Sequence, residues 1–185
     1  MYASRILQQR TGILYKKRGL ASFTNTPPPS SPFEVFDRKA KQIQKDRAAS
    51  RDNGERSRIV DYLRDEVADR MFERFMDIRR KLHNVVDLGA GSGHFSKLLE
   101  TENAKQVMML DLSQKSLDRD SNEEFEGHFI VVARLQIDEE ELHKVLPPDS
   151  QDAIVSCLSL HWVNDLPGTC RNDSNLTEVH SDMTT

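Results

Sequence analysis

Residues 84–94 read Asn-Val-Val-Asp-Leu-Gly-Ala-Gly-Ser-Gly-His: a short apolar run, an acid at Asp87, then glycines at Gly89, Gly91 and Gly93. A brief apolar run ending in a glycine loop predicts a buried strand that turns sharply. Phe95, Leu98 and Leu99 follow at helical spacing and predict a helix over His94–Glu100. The alternation then repeats. Val107–Leu110 predicts a second strand stopped by Asp111, and Ser113 can cap a helix through Asp118. Phe129–Ala133 predicts a third strand. Asp138 can cap a short helix to Leu146, which Pro147-Pro148 ends, and Ala153–Cys157 predicts a fourth strand. Strands alternating with helices imply right-handed crossovers and a parallel sheet, so the fold class is α/β with about four strands.

Upstream, Phe33, Phe36, Ala40 and Ile43 give residues 33–49 a helical pattern amid many charges, and a break follows at Arg51–Gly54. Ile59, Val60, Leu63, Val67, Met71, Phe75 and Ile78 then recur every three or four residues, which predicts a helix packing that face on the sheet. Residues 1–24 carry Arg5, Arg10, Lys16, Lys17 and Arg18 and no acid, with Ile6, Leu7, Ile13, Leu14 and Leu20 between them. That is the composition of a mitochondrial transit peptide. Residues 25–32, with three consecutive prolines, read as an extended linker. The predicted domain runs over 33–167, and 168–185 is polar and reads as a disordered tail. No apolar run approaches the roughly 18 residues of a membrane span, so membrane association would be peripheral at most.

Apart from the five leader cations, 21 Lys and Arg face 30 Asp and Glu, a net of −9. An acidic body argues against a nucleic-acid partner, since phosphate neutralisation needs clustered cations. The two cysteines, Cys157 and Cys170, form no C-x-x-C pair, and no His/Cys cluster or facial triad has metal-ligand spacing.

The glycine loop can hold two kinds of ligand. A dinucleotide fingerprint, G-x-G-x-x-G, would place its third glycine at position 94, where this chain has His94. Asp87, two residues before the first glycine, would repel a pyrophosphate and suits an ammonium. S-adenosylmethionine, with its α-amino group and sulfonium, fits better. Asp111 ends the second strand, where its two oxygens can accept from both ribose hydroxyls. Asp138 is a candidate adenine contact and equally a helix cap. The expected cofactor set is thus Asp87, Gly89, Ala90, Gly91 and Gly93 from the loop, Asp111 and Leu112 after the second strand, and Asp138. His161 is a weak catalytic candidate in the loop after the fourth strand, and Trp162 could wall off the pocket.

With these residues in hand, the sequence resembles the class I S-adenosylmethionine-dependent methyltransferases through Asp87–Gly93 and Asp111. More narrowly, Ser159-Leu160-His161-Trp162-Val163-Asn164-Asp165-Leu166-Pro167 resembles the branch that assembles mitochondrial complex I, supported by Phe36-Asp37-Arg38, Lys41 and Gln44. The resemblance implies a Rossmann-like fold of which this chain holds the N-terminal half. It implies a matrix protein peripheral to the inner membrane, methylating or hydroxylating an arginine of a complex I iron–sulfur subunit. A non-catalytic assembly module and an inactive truncated fragment are the alternatives. Arg134–Val145 departs from the family's short acidic turn and reads as a lengthened loop. Without a fifth strand, Ala153–Cys157 would be an edge.

Residues 1–32 fused to a fluorescent reporter should direct it to mitochondria, and replacing the five cations with Gln should leave it in the cytosol. A cytosolic signal from the unmodified fusion would remove the targeting assignment.

Overall fold

The computed structural model describes residues 34–126, 131–148 and 150–171; the predicted leader, the linker and the tail beyond residue 171 lie outside them. Four strands form one parallel sheet in the order β3-β2-β1-β4: β1 (Asn84–Leu88), β2 (Gln106–Asp111), β3 (Val131–Gln136) and β4 (Ala153–Val155). Val85 pairs with both Val107 and Ala153, and Asp87 with Met109 and Val155, so the carboxyl ends of these strands lie side by side. A central parallel strand is buried on both faces, which explains why Val85, Val86, Asp87 and Leu88 are all buried.

Before the sheet come α1 (Arg38–Ser50), α2 (Glu55–Arg58) and α3 (Asp61–Met76). Asp37 caps α1 by accepting from Ala40 N–H at 2.8 Å. The predicted break at Arg51–Gly54 is a 3₁₀ turn in which Asp52, Asn53 and Gly54 all have positive φ. Asp and Asn are the non-glycine residues that tolerate this region best. The short α4 (Gln114–Leu117), capped by Ser113, and α5 (Glu123–Glu126) follow β2.

Several expectations are corrected. The face of α3 was expected to pack throughout, yet Ile59 is 71% and Leu63 56% exposed. The helix starts at Asp61, and its inner face is carried by Ala68, Met71 and Phe75, with Phe72, Phe75 and Phe95 meeting ring to ring. Its first turn lies past the buried cluster. The helix expected over His94–Glu100 is instead a series of turns and a 3₁₀ turn at Ser96–Leu98, because the core takes Leu99 in extended backbone. β3 runs to Gln136, three residues past its predicted end, so part of the supposed long loop is ladder: Arg134, Leu135 and Gln136 pair with Met109, Leu110 and Asp111. A 3₁₀ helix at Glu139–Lys144, capped by Asp138, replaces the predicted helix to Leu146. β4 ends at Val155, where Ser156 Oγ turns to donate to the Leu88 carbonyl at 2.8 Å. Among the described residues β4 pairs only with β1. The domain also extends past Pro167: α6 (Leu166–Arg171) starts where Asp165 accepts from Gly168 N–H at 2.9 Å, and Pro is well suited to a first helical turn.

The largest departure is α1. Its apolar Ile43 is exposed, while Arg38, Lys41, Lys45, Asp46 and Ala49 turn inward. A helix lying over a row of strand-end carboxylates is better served by its cations than by its isoleucine.

Phe95→Ala should lower stability by about 3–5 kcal/mol, because it empties a fully buried site, whereas Leu63→Ser should change it by about 0.5 kcal/mol or less. Urea denaturation of both variants tests this. Comparable losses would mean that the first turn of α3 is covered in solution.

Candidate functional site

The loop after β1 is shaped by three left-handed glycines, each for its own reason. A Cβ on Gly89 would lie 2.0 Å from Ser159 Oγ, and one on Gly93 would lie 2.7 Å from Met109 Cε and 2.8 Å from Phe125 Cζ. These two glycines allow close packing. A Cβ on Gly91 (φ 59°) would meet nothing within 4 Å, so this residue faces open space. Gly89 and Ala90 both donate to the Leu110 carbonyl, at 2.8 and 3.0 Å, which bends the loop onto the end of β2.

The open space is a cavity of about 220 Å³. Asp87, Gly89, Ala90, Gly91, Ser92 and His94 form its floor, Cys157, Leu158, Ser159 and Trp162 one wall, and Lys41, Lys45, Ala48 and Ala49 of α1 its cover. Asp87 is fully buried and accepts from Ser96 Oγ at 2.7 Å. Burial, with a smaller contribution from the Asp111 charge, pushes its carboxyl up to about 6 against Ser96's opposing hydrogen bond. Cys157 is likewise pushed up to about 12, first by burial and then by Asp87, so it remains a thiol at neutral pH. Asp111, also buried, accepts from Gly91 N–H at 2.9 Å, Ser113 N–H at 2.8 Å and Lys45 Nζ at 2.6 Å.

The other expected residues are placed less directly. Gly93 sits behind the loop. Leu112 is buried beside β3, and its carbonyl accepts from Gln136 Nε2. Asp138 caps the 3₁₀ helix through Glu140 N–H and takes a forked interaction from the Arg38 guanidinium, at 2.9 to 3.1 Å. Arg38 also pairs with the buried Glu139 and donates to the Trp162 carbonyl. His161 is exposed, and its ring lies tilted at 46° against Trp162 with centroids 5.0 Å apart; it is not part of the cavity lining. Trp162 does line the cavity, and Lys41 Nζ lies 3.0 Å from its ring centroid. Burial, then the charges of Lys45 and Arg38, lowers the Lys41 ammonium below its ordinary range.

Sequence reasoning missed the cations of the cover. Arg38, Lys41 and Lys45 stand at positions i, i+3 and i+7, a spacing that puts them on one helical face. It also missed that His94 lines the cavity, with Ser92 Oγ 3.2 Å from its Nε2 and Asp65 Oδ1 2.7 Å from its Nδ1. Arg119, which also lines the cavity, joins Asp61 and Asp120, and Lys97 and Arg58 also reach Asp120. Despite its burial, Asp120 is held well below the usual carboxylate range by Arg119 and Lys97.

Four parallel strands, a glycine loop open at Gly91 and acids at the ends of adjacent strands give the chain the Rossmann-like fold of the class I S-adenosylmethionine-dependent methyltransferases. Residues 86–176 match the family model described as a methyltransferase domain. A Haloferax volcanii methyltransferase solved with its Trm112 activator shares the fold, at a TM-score of 0.57 and 21% identity over 72% of this chain and 55% of that one. Within the class, the sequence is similar to the mitochondrial arginine-hydroxylase NDUFAF5. It is 34% identical to the Danio rerio protein over 139 residues, 75% of this chain and 40% of the relative. Against the Homo sapiens protein it is 32% identical over 166 residues, 90% of this chain and 45% of the relative. The chain thus spans about two fifths of the length of these relatives.

The raised Asp87 carboxyl sets a pH dependence. Its folded value, about 6, lies above the 3.8 of an unperturbed group, so its contribution to stability is fully present below about pH 3.8 and is lost as pH rises through 6. Asp87→Asn should therefore be more stable than the parent at pH 7.5, by about 1–3 kcal/mol, and the difference should vanish near pH 4. Thermal unfolding across pH 4–8 checks this, and a constant difference would show that Asp87 does not titrate in this window.

Proposed function

We propose that the chain binds S-adenosylmethionine in the cavity over Gly91. The observation that carries this reading is the open face of Gly91 between two buried acids, Asp87 and Asp111, at the carboxyl ends of adjacent strands. Asp87 has a hydrogen-bond donor in Ser96 but, among the interactions that set its titration, no cation, and so can receive the ligand's ammonium. Asp111 faces the ribose. The left-handed backbone at Gly91 lets the ligand approach the main chain closely. Bound S-adenosylmethionine supplies an electrophilic methyl group on its sulfonium. This chain's residues orient it, with Trp162 walling the end nearest the β4 loop. Asp138 caps the 3₁₀ helix at Glu139–Lys144 and anchors α1 through Arg38.

By similarity to the arginine-hydroxylases, the same site acts in the mitochondrial matrix on an arginine side chain of a protein partner, an iron–sulfur subunit of complex I. The resemblance of Ser159–Pro167 to that branch supports this, because Ser159 and Trp162 of this stretch line the cavity. Incubating the protein with such a subunit and S-adenosylmethionine, in air with a two-electron reductant and in parallel without either, then mapping the arginines by mass spectrometry, distinguishes an added methyl from an added oxygen. An unmodified subunit would leave the binding module as the better description.

Calorimetry with S-adenosylmethionine tests the site itself. Asp111→Ala should lose about 1.5–3 kcal/mol of affinity for each ribose hydrogen bond to the charged acceptor. Gly91→Val should abolish binding, both by filling the open space and by straining a left-handed backbone. Wild-type affinity in Asp111→Ala would remove the ribose assignment.

A further inference from the structure

We propose that Lys45 competes with the ribose for Asp111: its ammonium occupies the carboxylate until a ligand bearing a vicinal 2′,3′-diol displaces it. This rests on the cofactor reading above and assigns a role to a residue of α1 that the glycine-loop motif does not include. Asp111 is 0% exposed and already has three donors. Gly91 N–H and Lys45 Nζ share Oδ2, and Ser113 N–H holds Oδ1. A carboxylate offers about four acceptor positions. The two backbone donors are fixed by the fold, so a diol finds one position open and needs a second. Lys45, on a long side chain that is 25% exposed, is the donor able to leave.

The helix itself is held at both ends of this contact. Arg38 grips Asp138, Glu139 and the Trp162 carbonyl, and Asn164 Oδ1 accepts from the N–H groups of Val35 and Phe36 at 2.9 and 2.7 Å. On the other side of Lys45, Asp46 Oδ1 accepts from Ser113 Oγ at 2.5 Å. Exchange at Asp111 is therefore a side-chain movement beneath a stationary helix.

The electrostatics give the exchange a direction. A buried carboxylate stripped of its cation is strongly disfavoured, so the ion pair stabilises the ligand-free state and competes with a diol. The single hydroxyl of a 2′-deoxyribose can use the open position with Lys45 in place, whereas both hydroxyls of a ribose are accepted only once Lys45 has left. Lys45 thus lowers affinity for the ribose and narrows the gap between the two sugars.

Calorimetry on the full chain with S-adenosylhomocysteine and with its 2′-deoxy analogue tests this, in wild type, Lys45→Met and Lys45→Gln. Gln retains a donor without the charge and serves where Met disturbs folding, as judged by circular dichroism. Lys45→Met should bind S-adenosylhomocysteine about tenfold more tightly, show a larger penalty for the deoxy analogue, and unfold at a lower temperature when ligand-free. Equal or weaker binding by the folded variants, with wild type binding normally, would overturn the competing role alone. No binding by wild type or variants would overturn the cofactor reading and this role together.

Discussion

The carboxylate of Asp111 accepts from three donors that come from three parts of the chain: the glycine loop, the turn after β2, and α1. The geometry of the site depends on this convergence. Because Leu88 is in register with Leu110, the loop leaves β1 beside the end of β2. Gly89 and Ala90 bond to Leu110, and Gly91 bonds to the next residue's side chain. The backbone facing the cavity is therefore fixed before a ligand arrives, which reduces the ordering cost of binding.

A second constraint is charge. The carboxyl ends of the strands gather Asp87, Asp111, Asp138 and Glu139 in or near one cavity, and such a cluster needs either cations or protons. The chain uses both. Asp111 has Lys45, Asp138 and Glu139 have Arg38, and Asp87, without a cation, holds its proton up to a higher pH. The cations come from one face of α1, so this helix is held to the sheet by electrostatics more than by apolar burial.

The two motifs that carry the narrower family resemblance lie far apart in sequence yet meet in the structure. Asn164 of the β4 loop bonds to the backbone of Val35 and Phe36, the Phe36 ring meets Trp162 edge-on at 5.3 Å, and Lys41 lies over the same indole. Together they join the start of the domain to the loop after β4, whose Trp162 lines the cavity. A change in either motif would be felt by the other.

The sequence by itself determined the strand–loop–strand unit from Asn84 to Asp111, the break at Arg51–Gly54, the caps at Ser113 and Asp138, and the parallel sheet. These features follow from local rules: glycines where φ is positive, short polar side chains at helix starts, and apolar runs where both faces are covered. Tertiary structure decided the rest. Leu99 was drawn from a predicted helix into extended backbone because the core claimed its side chain. β3 was lengthened to Gln136 because β2 offered it a ladder. The inward face of α1 could not be read from its apolar residues, since the partners that select it, Asp111 and Glu139, lie 66 and 101 residues away in the chain. Spacing along a sequence can show which residues share a face. Which face turns inward depends on what the folded chain sets opposite it, and here that is the carboxylates of Asp111, Asp138 and Glu139.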